Sequence, residues 1–356
     1  MQLRESEIFM NLFYELIQVA LNNKVVLGHT PTAQEWQNIY ELCQKQSVVG
    51  FAFEALDGLS RQSQKPPLDT LYQWIGDAEQ IKHQNLIVNK RCVEITQLLA
   101  DAGFRSCILK GQGNAMLYPT PLARTSGDID IWIDGKRDDI DEFVHQRFPD
   151  LKGGRMHIEF PIFDDVAVEV HYIPRYLHTP WHNKRLQRFF REHADEQFEH
   201  RIRLEGANGT CCIPTMIFNI VQQMSHMMSH SMGEGIGLRQ FVDYYYILKS
   251  YSGNNDFSSL FNQMGMLNFA RGVMWIEKML LGLENRYLIV EPSEKVGNHL
   301  KKIVEEGGNF GHHNQINKLR HKSIIGRAIG GVRQSLGALK MFPSETAWKL
   351  IGKIYK

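Results

Sequence analysis

Two aspartates lie one residue apart in the segment RTSGDIDIWI, residues 124–133. Alternate residues of a β-strand point to the same face, so Asp128 and Asp130 would project together with Cα atoms roughly 6–7 Å apart. At that spacing, two carboxylates can bind one divalent ion or bracket two ions. Mg²⁺ prefers hard oxygen ligands and commonly takes one or two carboxylates together with substrate phosphates. The pair predicts a Mg²⁺ site, with Mn²⁺ as an alternative ion; the structural alternative is a strand with one wet face.

A third carboxylate lies on another predicted strand, VAVEVHY at residues 166–172. Glu169 stands between valines there, an unusual position for a carboxylate unless it has a partner. If the two strands are neighbours, Glu169 completes a three-carboxylate metal site. His171 lies two residues further along the same strand face. It could orient an acceptor, act as a base, or be a hydrogen-bonded structural histidine.

The residues around the aspartate pair carry a more specific pattern. The segment ILKGQGNAMLYPTPLARTSGDIDIWI, residues 108–133, resembles the uncharacterised nucleotidyltransferase family, in which LKG, LYP and an arginine precede a DIDI-type strand. The downstream VAVEVHYIP resembles the hydrophobic-Glu-hydrophobic-His segment of that family. Two later segments, IPTMIFNIVQQMSHMM and GLRQFVDYYYIL, resemble its helical C-terminal part. The resemblance covers most of the chain, and the wider relation is to the DNA polymerase beta-like nucleotidyltransferase superfamily.

The resemblance implies that Asp128, Asp130 and Glu169 are both catalytic residues and metal ligands. The two aspartates would hold Mg²⁺ ions that bridge a nucleoside triphosphate (NTP). Glu169 would complete the shell of the second ion and help to lower the pKa of an incoming hydroxyl group. Catalysis of this kind rests mostly on positioning and charge neutralisation.

The resemblance also implies a nucleotide-binding set around the strand-to-helix turn. Lys110-Gly111 stands where the wider superfamily usually has Gly-Gly or Gly-Ser, and Gly111 still permits close approach of the backbone to phosphate. Lys110 could add positive charge near the phosphates, or it could be a surface lysine at the end of a strand. Arg124 could clamp a phosphate or neutralise the aspartate pair. Ser126 and Gly127, directly before the acidic strand, complete this set.

Two predicted C-terminal helices carry polar pairs one turn apart. His226 and His230 have a spacing that can bind a metal, but methionines surround them, which favours a helix facing the core or the cleft. Arg239 and Asp243 could form an intrahelical ion pair. The resemblance raises both as cleft residues, because a GLR…D pattern recurs in the family. The predicted acceptor cleft therefore contains His171, His226, Arg239 and Asp243.

Hydrophobic periodicity changes twice along the chain. Residues 5–100 show helical spacing, with Thr32 as a predicted N-cap and a long helix predicted from about Leu71 to Ala102. Strand-like runs follow, including a hairpin of HIEFPIF and VAVEVHY around Asp164-Asp165, and helical spacing returns from about residue 180. The predicted fold is α+β, with a small mixed β-sheet nucleotidyltransferase core and helical additions on both sides. The predicted limits are residues 1–100 for the helical N-terminal region, 101–178 for the core and 179–356 for the helical C-terminal region.

Composition restricts the class of partner. The chain has 356 residues, of which 43% are hydrophobic and 22% charged, as in an ordinary globular protein. With 40 Lys and Arg against 39 Asp and Glu, it has no overall electrostatic footprint for a polyanion, so a nucleic-acid partner is disfavoured. Residues 301–356 nevertheless carry 11 Lys or Arg and 3 Asp or Glu. A solvated helix face is favoured for this segment over a polyanion-binding tail, and a solvated loop for His312, His313 and His321.

Cysteine usage and hydropathy bear on location. The five cysteines are scattered without a CxxC pair, which favours reduced thiols in the cytoplasm. The first residues, MQLRESEIFMNLFYELIQVAL, are typical of an amphipathic helix and not of a signal peptide. No window reaches about 18 uncharged apolar residues, so no membrane span is predicted.

These observations leave three hypotheses. The leading one is a Mg²⁺-dependent nucleotidyltransferase that moves a nucleoside monophosphate from an NTP to a hydroxyl of a small-molecule or protein acceptor. The second is a catalytically inactive protein of the same fold that serves as a binding or regulatory module, for which the Lys-Gly turn leaves room. The third, a nucleic-acid-modifying enzyme, is the least favoured because of the near-neutral net charge.

Overall fold

The computed structural model describes residues 2–233, 235–308 and 341–354 of the chain. The helices before the first strand are α1 (Gln2–Ala20), α2 (Ala33–Lys45), α3 (Val49–Phe53), α4 (Leu56–Arg61) and α5 (Leu68–Asp101). The middle of the chain contains β1 (Arg105–Leu109), α6 (Gly111–Ala115), β2 (Ile129–Asp134), α7 (Arg137–His145), β3 (His157–Glu159) and β4 (Val168–His171). Short 3₁₀ turns lie at Pro121–Ala123 and Asn285–Tyr287.

The remaining described elements are mostly helical. They are α8 (Pro180–Glu192), α9 (Ala194–Glu199), β5 (Arg201–Ile202), β6 (Cys211–Cys212), α10 (Met216–Ser231), α11 (Leu238–Ser250), α12 (Ser258–Gln263), α13 (Leu267–Met279) and α14 (Glu294–Gly307). A further helix spans Pro343–Ile354 and is called the 343–354 helix below. Strands β5 and β6 form a two-stranded antiparallel ribbon.

Four strands form one mixed sheet in the order β1-β2-β4-β3. Strand β2 pairs antiparallel with β1 and parallel with β4, while β3 pairs antiparallel with β4. The chain therefore crosses from β2 to its parallel neighbour β4 through α7 and β3. A small mixed sheet among many helices confirms the predicted α+β fold class.

The alternation in DIDIWI divides the two faces of β2. Ile129, Ile131 and Ile133 are each at most 1% exposed and lie in a sheet-centred apolar cluster. The same cluster contains Val88, Cys92, Ile95 and Leu99 of α5 and Ile140, Phe143 and Val144 of α7. Asp130 and Trp132 belong to the opposite face, where Trp132 packs against Phe198 and Phe218. Both faces of β2 are thus covered, which keeps the acidic strand in place.

A second, larger apolar cluster lies among the helices. Most of α11 is buried, from Leu238 to Leu248, and it packs against α10 and α13. At the N-terminal side, the Thr32 side chain accepts a hydrogen bond from Glu35 N at 3.3 Å, and Glu35 Oε2 accepts one from Thr32 N at 2.8 Å. This capping box confirms the predicted N-cap of α2.

Some boundaries differ from the prediction. The long helix begins at Leu68, directly after Pro67, and not near Leu71. The hairpin strands do pair antiparallel across Asp164-Asp165, but they are shorter than the apolar runs that predicted them. The three predicted domain limits stay a prediction.

His312, His313 and His321, and most of the basic 301–356 segment, lie outside the described residues. None of the helices in the described ranges combines the length and the apolar character that crossing a lipid bilayer requires. All five cysteines fall in those ranges, and each is a buried free thiol.

Candidate active site

The sheet register brings the three predicted carboxylates together. Asp130 of β2 lies directly opposite Glu169 of β4 in the parallel pair, and Asp128 immediately precedes β2. Oxygens of the three side chains lie within 4.8 Å of one another. Asp130 is 4% exposed, whereas Asp128 is open to the cleft described below. One ion placed between them could contact all three groups.

The Asp130 carboxylate contacts two nitrogen atoms from other side chains. Its Oδ2 lies 2.7 Å from Lys110 Nζ, and its Oδ1 lies 2.8 Å from His171 Nε2. Burial opposes the charge of Asp130, but Lys110 and His171 together hold its pKa well below the ordinary value. Asp130 is therefore ionised at neutral pH, with both oxygens engaged.

The pKa values of the other two acids shift in opposite directions. The Asp130 charge, followed by burial, raises the pKa of Asp128. Burial also opposes the charge of Glu169, but its hydrogen bond with His171 lowers the pKa of that carboxyl below the ordinary value. Three oxygen donors whose mutual repulsion a cation would relieve are a ligand set that suits Mg²⁺.

The Lys110-Gly111 turn has an unusual backbone. Lys110 adopts φ 56° and ψ −138°, a region that glycine occupies readily and other residues avoid, and Gly111 follows at φ 40°. Here the Lys110–Asp130 ion pair helps to hold a lysine in that conformation. The strained residue therefore lies directly beside the candidate metal ligands.

Arg124 has a different partner from the two that were expected. Its Nε and Nη2 each donate to one oxygen of Asp243 at 2.7 Å, and both side chains are about 95% buried. Tyr118 Oη donates to the same carboxylate, also at 2.7 Å. The structure thus assigns neutralisation of the aspartate pair to Lys110 and His171 in place of Arg124.

The loop before the acidic strand is tied to α11 by a second arginine. Arg239 Nη1 donates to the carbonyl of Thr125 at 3.0 Å. Burial and the neighbouring Arg124 lower the pKa of Arg239 to about 10, so it keeps its charge at neutral pH. Asp243, which was predicted to pair with Arg239 within the helix, instead takes a bidentate ion pair with Arg124 across the fold.

A cleft of about 620 Å³ opens over the carboxylates. Besides Lys110, three cationic residues from separate segments line it: Arg155, Arg175 and Lys349. Burial, and then the charge of Lys349, lowers the pKa of His178 on the same wall to about 4, with smaller contributions from the two arginines. The wall around His178 therefore has a positive potential, which suits an anionic ligand.

A narrower recess of about 30 Å³ continues from the carboxylates toward α11. The recess is far smaller than the cleft. The predicted residues divide between the two spaces. Lys110, Asp128, Asp130, Glu169 and His226 line the cleft, and Lys110, Gly111, Arg124, Gly127, Asp128, Asp130, His226, Arg239 and Asp243 line the recess.

Ser126 and His171 line neither the cleft nor the recess. Ser126 lies half-buried in the loop before β2. His171 is 1% exposed and supports the carboxylates through Asp130.

His226 is buried on α10, with its ring centroid 4.3 Å from that of His230. Burial lowers the pKa of His226 well below the ordinary value, so this ring is neutral at physiological pH.

His157 was not among the predicted site residues. Its Nδ1 lies 3.1 Å from Glu169 Oε2, and it is directly opposite His171 in the β3–β4 pair. The available signal was the mirrored order of HIE and EVH in the predicted hairpin, which places the two histidines on one face in this register. The cleft cations Arg155, Arg175 and Lys349 were also missed, because they come from three separate segments.

A mixed sheet that gathers three carboxylates from adjacent strands, beside a glycine-containing strand-to-helix turn, defines a candidate metal-ion site in a mixed α+β protein. The model of the uncharacterised nucleotidyltransferase family matches residues 32–282, and the chain belongs to that family. This confirms the predicted relationship.

No curated protein sequence matches the chain. The crystal structure of an antigenic nucleotidyltransferase-like protein from Paracoccidioides brasiliensis is similar at 13% sequence identity and a TM-score of 0.32. That similarity covers 62% of this chain and 98% of the other.

Proposed function

We propose that the protein is a Mg²⁺-dependent nucleotidyltransferase that transfers a nucleoside monophosphate from an NTP to a hydroxyl group of a small-molecule or protein acceptor. The observation that carries this proposal is the cross-strand pairing of Asp130 with Glu169, together with Asp128 in the same cluster. Family membership supports the class of reaction.

Asp128, Asp130 and Glu169 would hold the metal, which when bound neutralises phosphate charge and aligns the triphosphate. The acceptor oxygen bonds to the α-phosphorus while the bond to the leaving pyrophosphate breaks, and the hydroxyl proton passes to a carboxylate of the cluster. The Lys110 ammonium lies 2.7 Å from Asp130 in the present arrangement. If Asp130 bound a metal ion instead, the ammonium would be available to a phosphate oxygen. In the present arrangement, His171 contacts both Asp130 and Glu169.

The cationic wall supports an anionic substrate in the same cleft. Arg155, Arg175 and Lys349 share the cleft with the carboxylates, although they come from different parts of the chain. Arg155 also lies over the Tyr176 ring, with its guanidinium carbon 4.4 Å from the ring centroid, which limits its freedom. A polyphosphate could contact the wall at one end and metal-bound carboxylates at the other.

The second candidate function is an inactive binding or regulatory module of the same fold. The Lys110–Asp130 ion pair favours it, because Lys110 and His171 occupy both oxygens of the most buried acid. The presence of all three acids in one cluster favours the enzyme. Nucleotide binding that requires a metal separates the two functions.

The test is isothermal titration of ATP, GTP, CTP and UTP into the purified protein, first with Mg²⁺ and then with EDTA. Wild-type protein should bind at least one NTP with Mg²⁺ and lose that binding in EDTA. Asp128→Asn should remove the metal-dependent binding, whereas Asp164→Asn, at an exposed position in the loop after β3, should retain it. Circular dichroism checks that each variant is folded.

Each other outcome points away from the proposal. No NTP binding by folded, metal-replete wild-type protein would favour the inactive module. Metal-dependent binding that survives Asp128→Asn would show that the carboxylate cluster is not the nucleotide site.

A further inference from the structure

Next to the three-carboxylate cluster, the sheet presents a second group of metal-ligand atoms. In the antiparallel β3–β4 pair, His157 lies directly opposite His171, and Glu169 lies two residues before His171. The three side chains therefore project from one face of the sheet. One ligand atom from each lies within 4.8 Å of the other two. This group is called the His-Glu-His cluster below.

The spacing of its atoms matches that of ligands around one ion. Glu169 Oε2 lies 3.1 Å from His157 Nδ1 and 3.5 Å from His171 Nε2. With metal–ligand bonds of about 2.0–2.2 Å, adjacent ligands of a tetrahedral or octahedral ion lie roughly 2.9–3.5 Å apart. The two distances from Glu169 therefore already lie in the range expected around one cation.

A second observation concerns the His157 ring. Its Nδ1 is a buried atom without a hydrogen-bond partner among the described residues, although it lies 3.1 Å from the Glu169 carboxylate. Buried polar atoms without a partner are uncommon and call for an explanation. A cation between the ring nitrogen and the carboxylate would satisfy both atoms at once.

We propose that His157, Glu169 and His171 form a binding site for a transition-metal ion, separate from the Mg²⁺ site and joined to it through Glu169. Two imidazoles and one carboxylate are the donor set that Zn²⁺, Co²⁺, Fe²⁺ and Mn²⁺ accept, whereas Mg²⁺ prefers oxygen ligands. The inference needs no nucleotide transfer and can be tested apart from the proposed function.

The position of the cluster has a consequence for its neighbour. His171 Nε2 is 2.8 Å from Asp130 Oδ1 in the present arrangement. An ion at the His-Glu-His cluster would draw His171 Nε2 toward itself and release Asp130 Oδ1 to the carboxylate cluster. Glu169, which belongs to both groups, would then bridge two unlike ions.

The experiment uses full-length protein that has been stripped of metal by a chelator and dialysed. Co²⁺ is the probe, because imidazole ligation in a site of low coordination number intensifies its visible absorption. The wild-type protein should bind one Co²⁺ per chain with an intense visible absorption band. A large excess of Mg²⁺ should leave that band in place.

Three variants locate the bound ion. His157→Gln should weaken Co²⁺ binding at least about tenfold and shift the band, because one nitrogen ligand is lost. Asp128→Asn, outside the cluster, should keep the band. His83→Gln, at an exposed position on α5, is the matched histidine control and should behave as wild type.

Several results would overturn the proposal. They are loss of the wild-type band to Mg²⁺, a band lost in Asp128→Asn but kept in His157→Gln, or equal Co²⁺ affinity in His157→Gln and wild type. The Mg²⁺ competition needs no variant, so misfolding of His157→Gln leaves the site testable. Failure of NTP binding with an intact Co²⁺ band would remove the proposed function and leave this inference standing.

Discussion

Arg124 and Asp243 form a buried bidentate ion pair whose two N–O distances are both 2.7 Å. Arg124 ends the 3₁₀ turn before the acidic strand, and Asp243 lies in the middle of α11. The pair therefore connects the segment that leads into Asp128 to α11, a helix that is buried from Leu238 to Leu248. Asn85 of α5 supports the same segment by donating to the carbonyls of Leu122 and Arg124 at 2.9 and 2.7 Å.

Asp243→Asn should destabilise the protein strongly. The substitution removes the negative partner and leaves the Arg124 charge buried, and breaking one side of a buried pair typically lowers the free energy of unfolding by about 3–5 kcal/mol. Urea unfolding monitored by circular dichroism measures the loss. The double variant Arg124→Met, Asp243→Leu should recover a large part of it, because no buried charge remains. A single variant that lost less than about 1 kcal/mol would show that the pair is solvated.

Lys110→Met should strengthen metal binding in the absence of nucleotide. A cation that reaches Asp130 must displace the Lys110 ammonium from Oδ2, and methionine removes that competitor while it retains a Cβ and a long stem. We expect an affinity gain for Mn²⁺ of about tenfold, which corresponds to about 1.4 kcal/mol, measured by the loss of the free-ion resonance signal. Lys65→Met, an exposed lysine in the loop before α5, is the control. Unchanged or weaker binding would show that Lys110 does not oppose the ion.

The site elements that sequence patterns predicted are those fixed by local periodicity. Alternation in DIDIWI and VAVEVHY indicates which side chains share a face, whatever the order of the strands. The pairing of Asp130 with Glu169 depends in addition on β2 and β4 being neighbours, which the alternation itself does not determine.

The partners of the charged residues could not be predicted in the same way. Asp243 has Arg239 one helical turn away, and local spacing favoured that pair, but the structure places Arg124 against it from 119 positions away in the chain. Lys110 likewise meets Asp130 across the β1–β2 pair. Such contacts depend on tertiary packing, which residue spacing does not encode.

Glu277 gives the stability of the protein a predictable pH dependence. It is fully buried on α13, and neither carboxyl oxygen has a hydrogen-bond partner within the described ranges. Burial raises its pKa well above the ordinary value. The folded protein therefore keeps a proton that the unfolded chain releases. Stability is fully present below the ordinary pKa of the carboxyl and is lost as the pH rises toward the folded-state pKa.

Glu277→Gln should flatten this part of the pH profile. Relative to the variant, the wild-type free energy of unfolding should fall as the pH rises above the ordinary pKa of a glutamate carboxyl, by up to about 1.4 kcal/mol per pH unit. Urea unfolding at several pH values measures the difference. Glu291→Gln, at an exposed position, should run parallel to wild type. Parallel profiles for Glu277→Gln and wild type would mean that the carboxyl is solvated in the folded state.

Glu345 fixes the 343–354 helix against the cleft wall. Its side chain is 1% exposed, and its two oxygens accept hydrogen bonds from the backbone amides of His178 at 2.6 Å and Thr179 at 3.1 Å. One turn further along, Lys349 Nζ reaches the carbonyl of Met232 at 3.3 Å and lines the cleft. The position of this cationic side chain therefore depends on a carboxylate that does not line the cleft itself.

Glu345→Ala should release the helix locally. Two buried amides lose their acceptor, and the expected destabilisation is about 1–3 kcal/mol. Hydrogen exchange should accelerate in residues 343–354 and in the segment around His178, while the amides of β2 and β4 stay protected. If the proposed nucleotide site is correct, affinity for the Mg²⁺–NTP complex should also fall severalfold, because Lys349 leaves the cleft wall.

Two further variants separate anchoring from charge. Lys349→Met should reproduce the loss of nucleotide affinity without the faster exchange, since Glu345 still holds the helix. Glu306→Ala, an exposed residue of α14 that pairs with Lys302, should change neither property. Faster exchange in Glu345→Ala with nucleotide affinity unchanged would confine Glu345 to a structural role and remove Lys349 from substrate binding. Unchanged exchange in Glu345→Ala would show that other contacts hold the helix. One such contact is the packing of Trp181 against Trp348, with ring centroids 5.9 Å apart.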